Sequence, residues 1–336
     1  MEKGTKRTTI YDLAKLAEAS PSAVSSVLNG TWEKRRISKK LAARVMKIAD
    51  EQGYAVNVQA SLLRRERSNI VGMIVPKYDN RYFGKIAEQF EVMARAKGFF
   101  PVVTCTQRDP ELEFEAAKEL ISYQAECLIS TGATDPDRIS AFCSASGVQS
   151  INLDLPGNDA PSVISDNYTA ARDLTKLILD RCEKELGWCG PLRFVGGRLT
   201  DHNTAARLKG FLSAQKERSI SVPDTHIMAT GYSAEKAAHA LASFRPDGPT
   251  GLFVNSTISL EGMVAWHSKL ANGADQIRYG CFDWDPFGSF LPGNVGMVEQ
   301  DVSSMLSKAF ELIGKSASST EPVLVPCKLR TFHSKS

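Results

Sequence analysis

The sequence predicts an α/β protein with a small all-helical domain at its N-terminus. Residues 1–55 carry apolar residues at helical spacing behind good capping residues, whereas short apolar strands alternate with helical stretches from residue 69 onward. Residues 1–70 hold 14 Lys and Arg against 7 Asp and Glu, and the remaining 266 residues hold 27 against 31. A basic head on a mildly acidic body indicates that the head binds a polyanion, with a solvated basic face as the alternative.

Three short helices are predicted in the head. Thr9 followed by Asp12 fits a capping box at the start of the first helix. Ser20 is a good N-cap for the second helix, and Pro21 then falls at the first helical position, where its missing N–H does no harm. The third helix is expected to begin at Ser38. Two helices joined by a short turn and followed by a third form a helix-turn-helix, although a plain three-helix bundle has the same pattern.

The second helix is expected to place small polar side chains on its outer face, because its apolar residues recur on the opposite face. The residues predicted to point outward are Ser22, Ser25, Ser26 and Asn29. The positive charge flanks this helix, at Lys3, Lys6, Arg7, Lys34, Arg35, Arg36, Lys39 and Lys40. Flanking cations can hold phosphates while short side chains approach base edges, so the segment is suited to reading DNA.

A linker follows the head. Residues 54–68, YAVNVQASLLRRERS, contain apolar residues that a short helix would leave exposed. We predict a helix that folds only in the presence of DNA and a second subunit, with a flexible tether as the alternative.

The body is predicted to contain two lobes built on parallel sheets, because its 266 residues are too many for a single doubly wound sheet. The segments MVEQDVSSMLSKAFELIG and VLVPCKLRTF come after the second lobe should be complete. They indicate that the chain crosses between the lobes more than once.

Several classes of protein are disfavoured by missing patterns. No run of about 18 apolar residues exists, and the N-terminus lacks the apolar core of a signal peptide. The 7 cysteines have no CxxC spacing and are expected to be reduced thiols of a cytosolic protein. HxH, HExxH, GxGxxG, GxxxxGK[ST] and GxSxG are all absent, and the pair Gly196–Gly197 is more typical of a tight turn. We therefore predict no catalytic residue, no metal site and no cofactor.

The stretch TTIYDLAKLAEASPSAVSSVLNG resembles the helix-turn-helix of the lactose-repressor (LacI/GalR) family of bacterial transcription regulators. ISKKLAARVMKIADEQGYAVN is similar to the third helix of that family, and RRERSNIVGMIVP and GCFDWDPF are similar to parts of its effector domain. The long turn TWEKRRIS is similar to the fructose- and sucrose-type repressors of the family. The resemblance covers essentially the whole chain.

The resemblance implies a DNA-binding head, a hinge helix and a two-lobed domain like the periplasmic sugar-binding proteins. The implied division is a helix-turn-helix domain at 1–55, a hinge at 56–68, and an effector-binding and dimerisation domain at 69–336. Within that domain we expect lobe 1 at about 69–167 and 299–318, and lobe 2 at about 168–298 and 319–333.

Residue by residue, the resemblance implies which side chains meet DNA. The positions that read the major groove in this family are occupied by Pro21, Ser22 and Ser26. The positions that mostly hold the phosphate backbone are occupied by Thr9, Tyr11, Ser20, Ser25 and Asn29. Arg36, Ser38 and Asn57 complete the expected contacts, and Leu63 matches the leucine that enters the minor groove. Pro21 replaces an aromatic or polar residue, so the operator half-site should be unusual, and Val56 replaces a proline of the hinge.

The same comparison of motifs implies an effector site. Arg207 matches the arginine that grips sugar hydroxyls or a sugar phosphate, and Asp283 matches the acidic residue that accepts hydrogen bonds from hydroxyls. A fork of donors beside two acceptor oxygens suits a polyol, although a structural salt bridge is the alternative for Arg207. Further residues expected at the effector are Tyr82, Phe83, Asp154 and Asn255. For Tyr82 and Phe83, packing beneath the loop is the alternative.

The function implied is a sequence-specific transcription regulator, a repressor of sugar-metabolism genes controlled by a sugar or sugar phosphate bound between the lobes. The expected partners are double-stranded operator DNA, the effector and a second copy of the chain in a homodimer. No membrane partner is expected, and the protein should be cytoplasmic, associated with the nucleoid when bound. A purine- or other metabolite-responsive regulator of the same architecture is the alternative. A solute-binding receptor is disfavoured by the basic head.

Overall fold

The computed structural model describes residues 8–54, 68–270, 274–315 and 321–332. The chain separates into two units, Met1–Ser68 and Asn69–Ser336. The predicted hinge, with Val56, Asn57 and Leu63, lies almost wholly outside the described residues.

The described residues of the first unit contain three helices, α1 (Ile10–Leu16), α2 (Pro21–Leu28) and α3 (Lys39–Glu51). Each begins where the capping residues predicted. Thr9 and Asp12 form the capping box, since the amide of Thr9 donates to Asp12 Oδ2 at 2.8 Å. The Ser20 hydroxyl caps α2, whose first residue is proline, and the Ser38 hydroxyl caps α3. The helices enclose a small apolar core that includes Leu13, Ala17, Val24, Val27 and Val45.

The second unit alternates strands and helices, as the sequence predicts. Its elements, in chain order, are β1 (Ile70–Val75), α4 (Arg81–Ala96), β2 (Phe100–Cys105), α5 (Pro110–Ser122), β3 (Cys127–Thr131), α6 (Pro136–Ala145), β4 (Gln149–Leu153), β5 (Ser162–Ser165), α7 (Asn167–Leu186), β6 (Arg193–Val195), α8 (His202–Lys216), β7 (Ile227–Met228), α9 (Ala234–Ala242), β8 (Thr250–Val254), α10 (Thr257–His267), β9 (Ile277–Phe282), β10 (Asn294–Glu299), α11 (Val302–Leu312), β11 (Val323–Val325) and β12 (Lys328–Thr331). Short 3-10 turns precede β7 and β9 and follow β9.

Two six-stranded sheets define the two lobes. The order in the first sheet is β11-β5-β4-β3-β1-β2, and all of its pairings are parallel. The order in the second sheet is β12-β10-β9-β8-β6-β7, and only the pairing of β10 with β12 is antiparallel. Strands such as β1, β3 and β8 are buried along their whole length, as expected where helices cover both faces of a parallel sheet.

The chain passes between the lobes after β5, after β10 and after β11. The last passage corrects the expected boundaries. The sequence predicts residues 319–333 as a single piece of lobe 2, but β11 pairs with β5, with Val323 opposite Val163, and therefore belongs to lobe 1. Only β12 joins the second sheet. The two strands are separated by two residues, yet β11 forms an edge of the first sheet and β12 forms an edge of the second. No local sequence pattern determines which sheet each strand joins.

Candidate functional site

The candidate DNA-binding surface of the head is small and polar. Exposed residues among the predicted contacts are Thr9, Tyr11, Ser20, Pro21, Ser22, Arg36 and Ser38. Ser25 and Asn29 are half-buried and bonded to each other, because Asn29 Nδ2 donates to the Ser25 carbonyl at 2.8 Å and lies 3.3 Å from its hydroxyl. The head thus presents the start of α2 and the turn before α3 to solvent.

Ser26 does not face outward, and that prediction is wrong. The residue is 6% exposed, and its hydroxyl donates to the Ser22 carbonyl one turn earlier at 2.8 Å. A serine is small enough to pack beside Val27, and the backbone bond satisfies its polar atom, so burial is inexpensive. A hydroxyl held in this way is not presented to a base edge.

Positive charge is concentrated between the end of α2 and the first turn of α3. Lys34, Arg35, Arg36, Lys39 and Lys40 are all exposed. Within residues 8–54 the ion pairs are Arg44–Glu18 and Lys47–Glu51, so none of these five cations has an acidic partner in the described head. Unpaired, solvated cations on one segment are well suited to phosphate contacts.

A cavity lies in the second unit where the carboxyl ends of both sheets face each other, which is the usual ligand position in such sheets. Its empty space, counted together with the solvent that opens into it, is about 460 Å³, and it is lined by Asn80, Tyr82, Phe83, Arg108, Asp154, Leu155, Arg198, Asp201, Asn203, Arg207, Tyr232, Ser256, Ile258, Asp283 and Gln300. Asp154 and Asp283 directly follow β4 and β9, and Gln300 directly follows β10. Five of the six predicted effector residues therefore line one cavity.

Asp154 is buried and has a left-handed backbone with φ of +73°. Its Oδ1 accepts hydrogen bonds from the Tyr82 hydroxyl at 2.8 Å and from Asn203 Nδ2 at 3.3 Å. Burial raises the pKa of Asp154 to about 6, although the Tyr82 bond and the charge of Arg207 favour the ionised form. Asn203 belongs to lobe 2, so this carboxylate joins the two lobes.

Arg207 on α8 is only 3% exposed. Its Nε donates to Asn167 Oδ1 at 2.7 Å and its Nη1 to the Asn255 carbonyl at 2.7 Å, while the guanidinium carbon lies 3.7 Å from the Phe282 ring centroid. Burial alone would lower the pKa of Arg207, but the nearby Asp283 carboxylate raises it, so the side chain stays charged. Two of its nitrogens are fixed by protein acceptors, and Nη2 has no acceptor among the described residues.

Asp283 completes the charged floor of the cavity. Its backbone is left-handed, with φ of +70°, and its Oδ1 accepts a 2.6 Å hydrogen bond from Gln300 Nε2. Gln300 is in turn held by the Ser165 hydroxyl, which donates to Oε1 at 2.6 Å. Burial raises the pKa of Asp283, and the charge of Arg207 opposes that shift. Residues that need a left-handed backbone cluster at functional sites, as both aspartates do here.

Asn255 is not among the residues that line the cavity, so the expectation of direct contact is corrected. It is fully buried; its carbonyl accepts from Arg207, and its Nδ2 lies 3.4 Å from the hydroxyls of Thr204 and Tyr232. The side chain therefore positions cavity residues from behind. Tyr82 and Phe83 both line the cavity, and Phe83 also packs into the apolar core of lobe 1.

Several lining residues are not predicted from the sequence, among them Asn80, Arg108, Arg198, Asp201, Asn203, Tyr232 and Gln300. Most follow a strand or begin a helix. Asp201 and Asn80, for example, are the N-caps of α8 and α4. The position of loops at the carboxyl ends of parallel strands was the signal that could have identified them.

The Gly196–Gly197 pair forms the tight turn that the sequence suggested. Both residues have a positive φ, +88° and +79°. A Cβ on Gly196 would overlap the Ser259 side chain, and one on Gly197 would overlap Asn255 and Thr204. Glycine is needed here so that the loop carrying Arg198 can lie against the floor of the cavity.

Two absences hold for the described residues. None of their His, Cys, Asp and Glu side chains forms a group of three or more arranged to hold a metal ion. None of the helices in those same ranges is long and apolar enough to cross a membrane.

Similarity to known proteins covers both units. Residues 9–57 match the family described as bacterial regulatory proteins, lacI family, and residues 71–288 match a periplasmic binding protein domain. The chain is 58% identical over 193 residues to the ribitol operon repressor of Klebsiella aerogenes. The aligned segment covers 57% of this chain and 72% of that protein. It is 27% identical over 314 residues to the fructose operon regulatory protein of Vibrio cholerae serotype O1, over 92% and 91% of the two chains.

Solved structures share the fold. The lac repressor dimer bound to operator and the anti-inducer ONPF superposes with a TM-score of 0.77 at 22% identity, over 97% of this chain and 98% of that one. The Cra transcriptional dual regulator of Pseudomonas putida in complex with fructose 1-phosphate gives 0.68 at 20% identity, over 79% and 99%. At these identities the likeness concerns the fold alone.

Proposed function

Because the chain belongs to the lacI family of bacterial regulatory proteins, we propose that it is a sugar-responsive repressor of genes for sugar or polyol metabolism. Its relatives are transcription regulators, and several are named as repressors of ribitol, fructose or sucrose operons. The head binds operator DNA, and a small polyhydroxylated effector occupies the cavity between the lobes. The protein acts without catalysis, in the cytoplasm, on the nucleoid.

The observation that carries this proposal is the buried charge at the bottom of the cavity. Arg207 is fixed by two protein acceptors and retains an unused Nη2, while Asp154 and Asp283 offer carboxylate oxygens beside it. A polyol carries hydroxyls that donate to carboxylates and accept from a guanidinium, so it satisfies both kinds of group at once. An apolar ligand would cover Arg207 Nη2 and the remaining acceptor positions of the two carboxylates without giving them hydrogen-bond partners.

The effector can control the relative position of the lobes. Asp154 of lobe 1 and Asn203 of lobe 2 are already bonded across the cavity, and Arg81 of lobe 1 pairs with Asp285 of lobe 2 at 2.7 Å. A ligand that prefers one arrangement of the lobes shifts the population toward it, and only by its differential affinity for the two. In a homodimer this change would alter how two heads engage one operator.

DNA binding is assigned to the exposed residues of the head. Unpaired cations, including Arg36 and Lys39, would contact phosphates, while Pro21 and Ser22 at the start of α2 would approach the bases. Two heads of a dimer would occupy successive major grooves of a pseudo-palindrome.

The proposal is tested with full-length protein and an operator that it selects from a random pool of DNA duplexes. Ribitol, fructose, sucrose and the purine bases are added in turn, and operator affinity is followed by fluorescence anisotropy. We expect one polyol or sugar to change operator affinity at least tenfold. Arg207→Met should abolish the response while operator binding without effector persists, and Arg207→Lys should retain part of it.

The matched control is Arg138→Met, which removes an exposed arginine that pairs with Glu111 on the outer surface of lobe 1. It should leave the response intact. A response to purines alone would overturn the sugar assignment and leave the regulator. Failure of the full-length protein to select any DNA sequence would overturn the function as a whole.

A further inference from the structure

Two arginines from opposite lobes meet at one tyrosine ring in the cavity. The guanidinium carbon of Arg108, which follows β2 in lobe 1, lies 5.5 Å from the centroid of Tyr232. The guanidinium carbon of Arg198, which follows β6 in lobe 2, lies 5.8 Å from the same centroid. The two cations can therefore be no farther apart than the sum of these distances, and both line the cavity.

Neither cation has an acidic partner in the described part of the chain. Other cations around the cleft do: Arg81 pairs with Asp285, and Lys85 pairs with Glu299 at 3.3 Å. Among the described residues, the guanidinium groups of Arg108 and Arg198 form neither an ion pair nor a hydrogen bond, and both lie over aromatic rings. Arg108 and Arg198 therefore differ from Arg81 and Lys85, whose charges are balanced by carboxylates in the same cleft.

The carboxylates of the cavity are already engaged by the protein. Asp154 accepts from Tyr82 and Asn203, and Asp283 accepts from Gln300. Asp201 caps α8, accepting from the amide of Thr204 at 2.8 Å and from its hydroxyl at 2.9 Å. The protein therefore engages these carboxylates at least in part, whereas the guanidinium groups of Arg108 and Arg198 have no hydrogen-bond acceptor among the described residues.

The Tyr232 ring between the two arginines is held in place. Its hydroxyl lies 3.0 Å from the Thr204 hydroxyl and 3.4 Å from Asn255 Nδ2. A fixed ring gives both guanidinium groups a defined stacking surface while their N–H groups remain available to a ligand. Two like charges beside the same ring repel each other unless an anion lies between them.

We propose that the effector is a polyol or sugar carrying a phosphate, and that the phosphate binds between Arg108 and Arg198 while the hydroxyls face Arg207, Asp154 and Asp283. This inference rests on the proposed function and specifies its ligand. A phosphate monoester carries about −1.5 to −2 charges at neutral pH and accepts from two arginine forks at once. It would remove the repulsion between the lobes, so the anion itself would favour closure.

If the effector were a neutral sugar or polyol, Arg108 would only balance the negative charge of the nearby aspartates. Its positive charge does lower the pKa of Asp154 and of Asp283, against the larger opposite effect of their burial. In that case loss of Arg108 would weaken phosphorylated and neutral ligands alike. If the phosphate binds Arg108, only the affinity for the phosphorylated ligand would fall. The two hypotheses therefore predict different results for the same variant.

The test uses calorimetric titration of the full-length protein with ligand pairs that differ only in phosphate, namely ribitol and ribitol 5-phosphate, and fructose and fructose 1-phosphate. Inorganic phosphate alone is the third probe. In one pair we expect the phosphorylated member to bind at least tenfold more tightly. Arg108→Gln and Arg198→Gln should each weaken it about 10–100-fold and change the neutral member less than about threefold. Arg108→Lys and Arg198→Lys should give intermediate values, because they keep the charge and lose the fork.

The matched control is Arg95→Gln, which removes an exposed arginine paired with Glu91 on α4 and should change neither affinity. Equal binding of both members of a pair, or equal weakening of both in the glutamine variants, overturns the phosphate assignment and leaves the sugar-responsive repressor intact. Absence of binding and of operator release by every member of both pairs overturns the repressor's sugar response, and the phosphate assignment with it.

Discussion

Asn203 donates a 3.3 Å hydrogen bond to Asp154 across the effector cavity, and both residues line that cavity. The donor is the second residue of α8 in lobe 2, and the acceptor directly follows β4 in lobe 1. Asn203 also accepts from Asn167 Nδ2 at 3.0 Å, so its amide has one possible orientation. A contact between the lobes is thus made by groups that the effector itself would touch.

Asn203→Ala should therefore weaken effector binding. The variant removes a donor to a buried carboxylate, a loss of about 1–2 kcal/mol, or roughly 5–30-fold in the effector dissociation constant. The measurement is calorimetric titration with the ligand that the operator-release assay identifies. Asn158→Ala is the control, because Asn158 Nδ2 makes a similar 2.6 Å bond to Asp137 on the exposed surface of lobe 1. Equal effector affinity in the two variants would show that the Asn203 bond plays no part in binding.

The buried carboxyl of Asp154 predicts a pH dependence of stability. Its pKa is about 6, above the ordinary value of 3.8, chiefly because of burial. Between these values the folded protein holds a proton that the unfolded chain has released. The contribution of Asp154 to the free energy of unfolding should therefore fall as the pH rises from about 4 to about 6 and then stay constant.

The measurement is urea unfolding of the natural chain and of Asp154→Asn at pH 4.5 and pH 7. The difference between them, natural chain minus variant, should fall by on the order of 1–3 kcal/mol over that range. Asp137→Asn is the control: burial raises the pKa of Asp137, but hydrogen bonds from Asn158 hold it below its ordinary value, so its contribution changes only below about pH 4 and the corresponding difference should stay nearly constant between pH 4.5 and pH 7. A difference for Asp154→Asn that rises with pH would contradict the predicted shift.

Gly196 should tolerate no side chain. Its φ is +88°, and a Cβ would overlap the Ser259 side chain. Gly196→Ala should lower the free energy of unfolding by about 2–4 kcal/mol, since strain and overlap add. Gly187→Ala is the matched control, because Gly187 has a φ of +62° and open space around its Cα, so only the backbone penalty of about 1 kcal/mol applies. Equal losses in the two variants would mean that the Ser259 contact relaxes without cost.

The sequence predicts the features of this molecule that depend on neighbouring residues. Thr9, Ser20 and Ser38 begin helices because their side chains bond the next turn, and this information is local. The sheet that β11 joins is decided by a pairing with Val163, some 160 residues earlier, and no local pattern encodes it.

The residues of the candidate site also fall into those that the sequence predicts and those that depend on the tertiary structure. Asp154 and Asp283 directly follow strands, so the carboxyl-end rule and the family resemblance both point to them. Arg108 and Arg198 stand a few residues beyond their strands, where the course of the loop decides whether a side chain enters the cavity. Asn255 directly follows β8 and yet lies behind the cavity, because its direction depends on the packing of Thr204 and Tyr232.

The burial of Ser26 predicts which serines of α2 matter for DNA. Ser26→Ala removes a hydroxyl that donates only to the helix backbone, so operator affinity and stability should change by no more than about 0.5 kcal/mol. Ser22→Ala removes an exposed hydroxyl at the start of the helix and should weaken operator binding by about 1 kcal/mol, roughly fivefold. Fluorescence anisotropy with the selected operator, at one fixed salt concentration, measures both.

Affinities for the operator and for random duplex DNA, measured for the same variant, distinguish a base contact from a phosphate contact. A serine that contacts a base should lose more affinity for the operator than for random duplex, whereas a serine that contacts only phosphate should lose both about equally. Ser22→Ala is expected to follow the first pattern and Lys39→Gln, a substitution in the exposed basic segment, the second. If Ser26→Ala instead lost operator affinity selectively, α2 would have to rotate on DNA so as to expose a hydroxyl that the free head keeps against its own backbone.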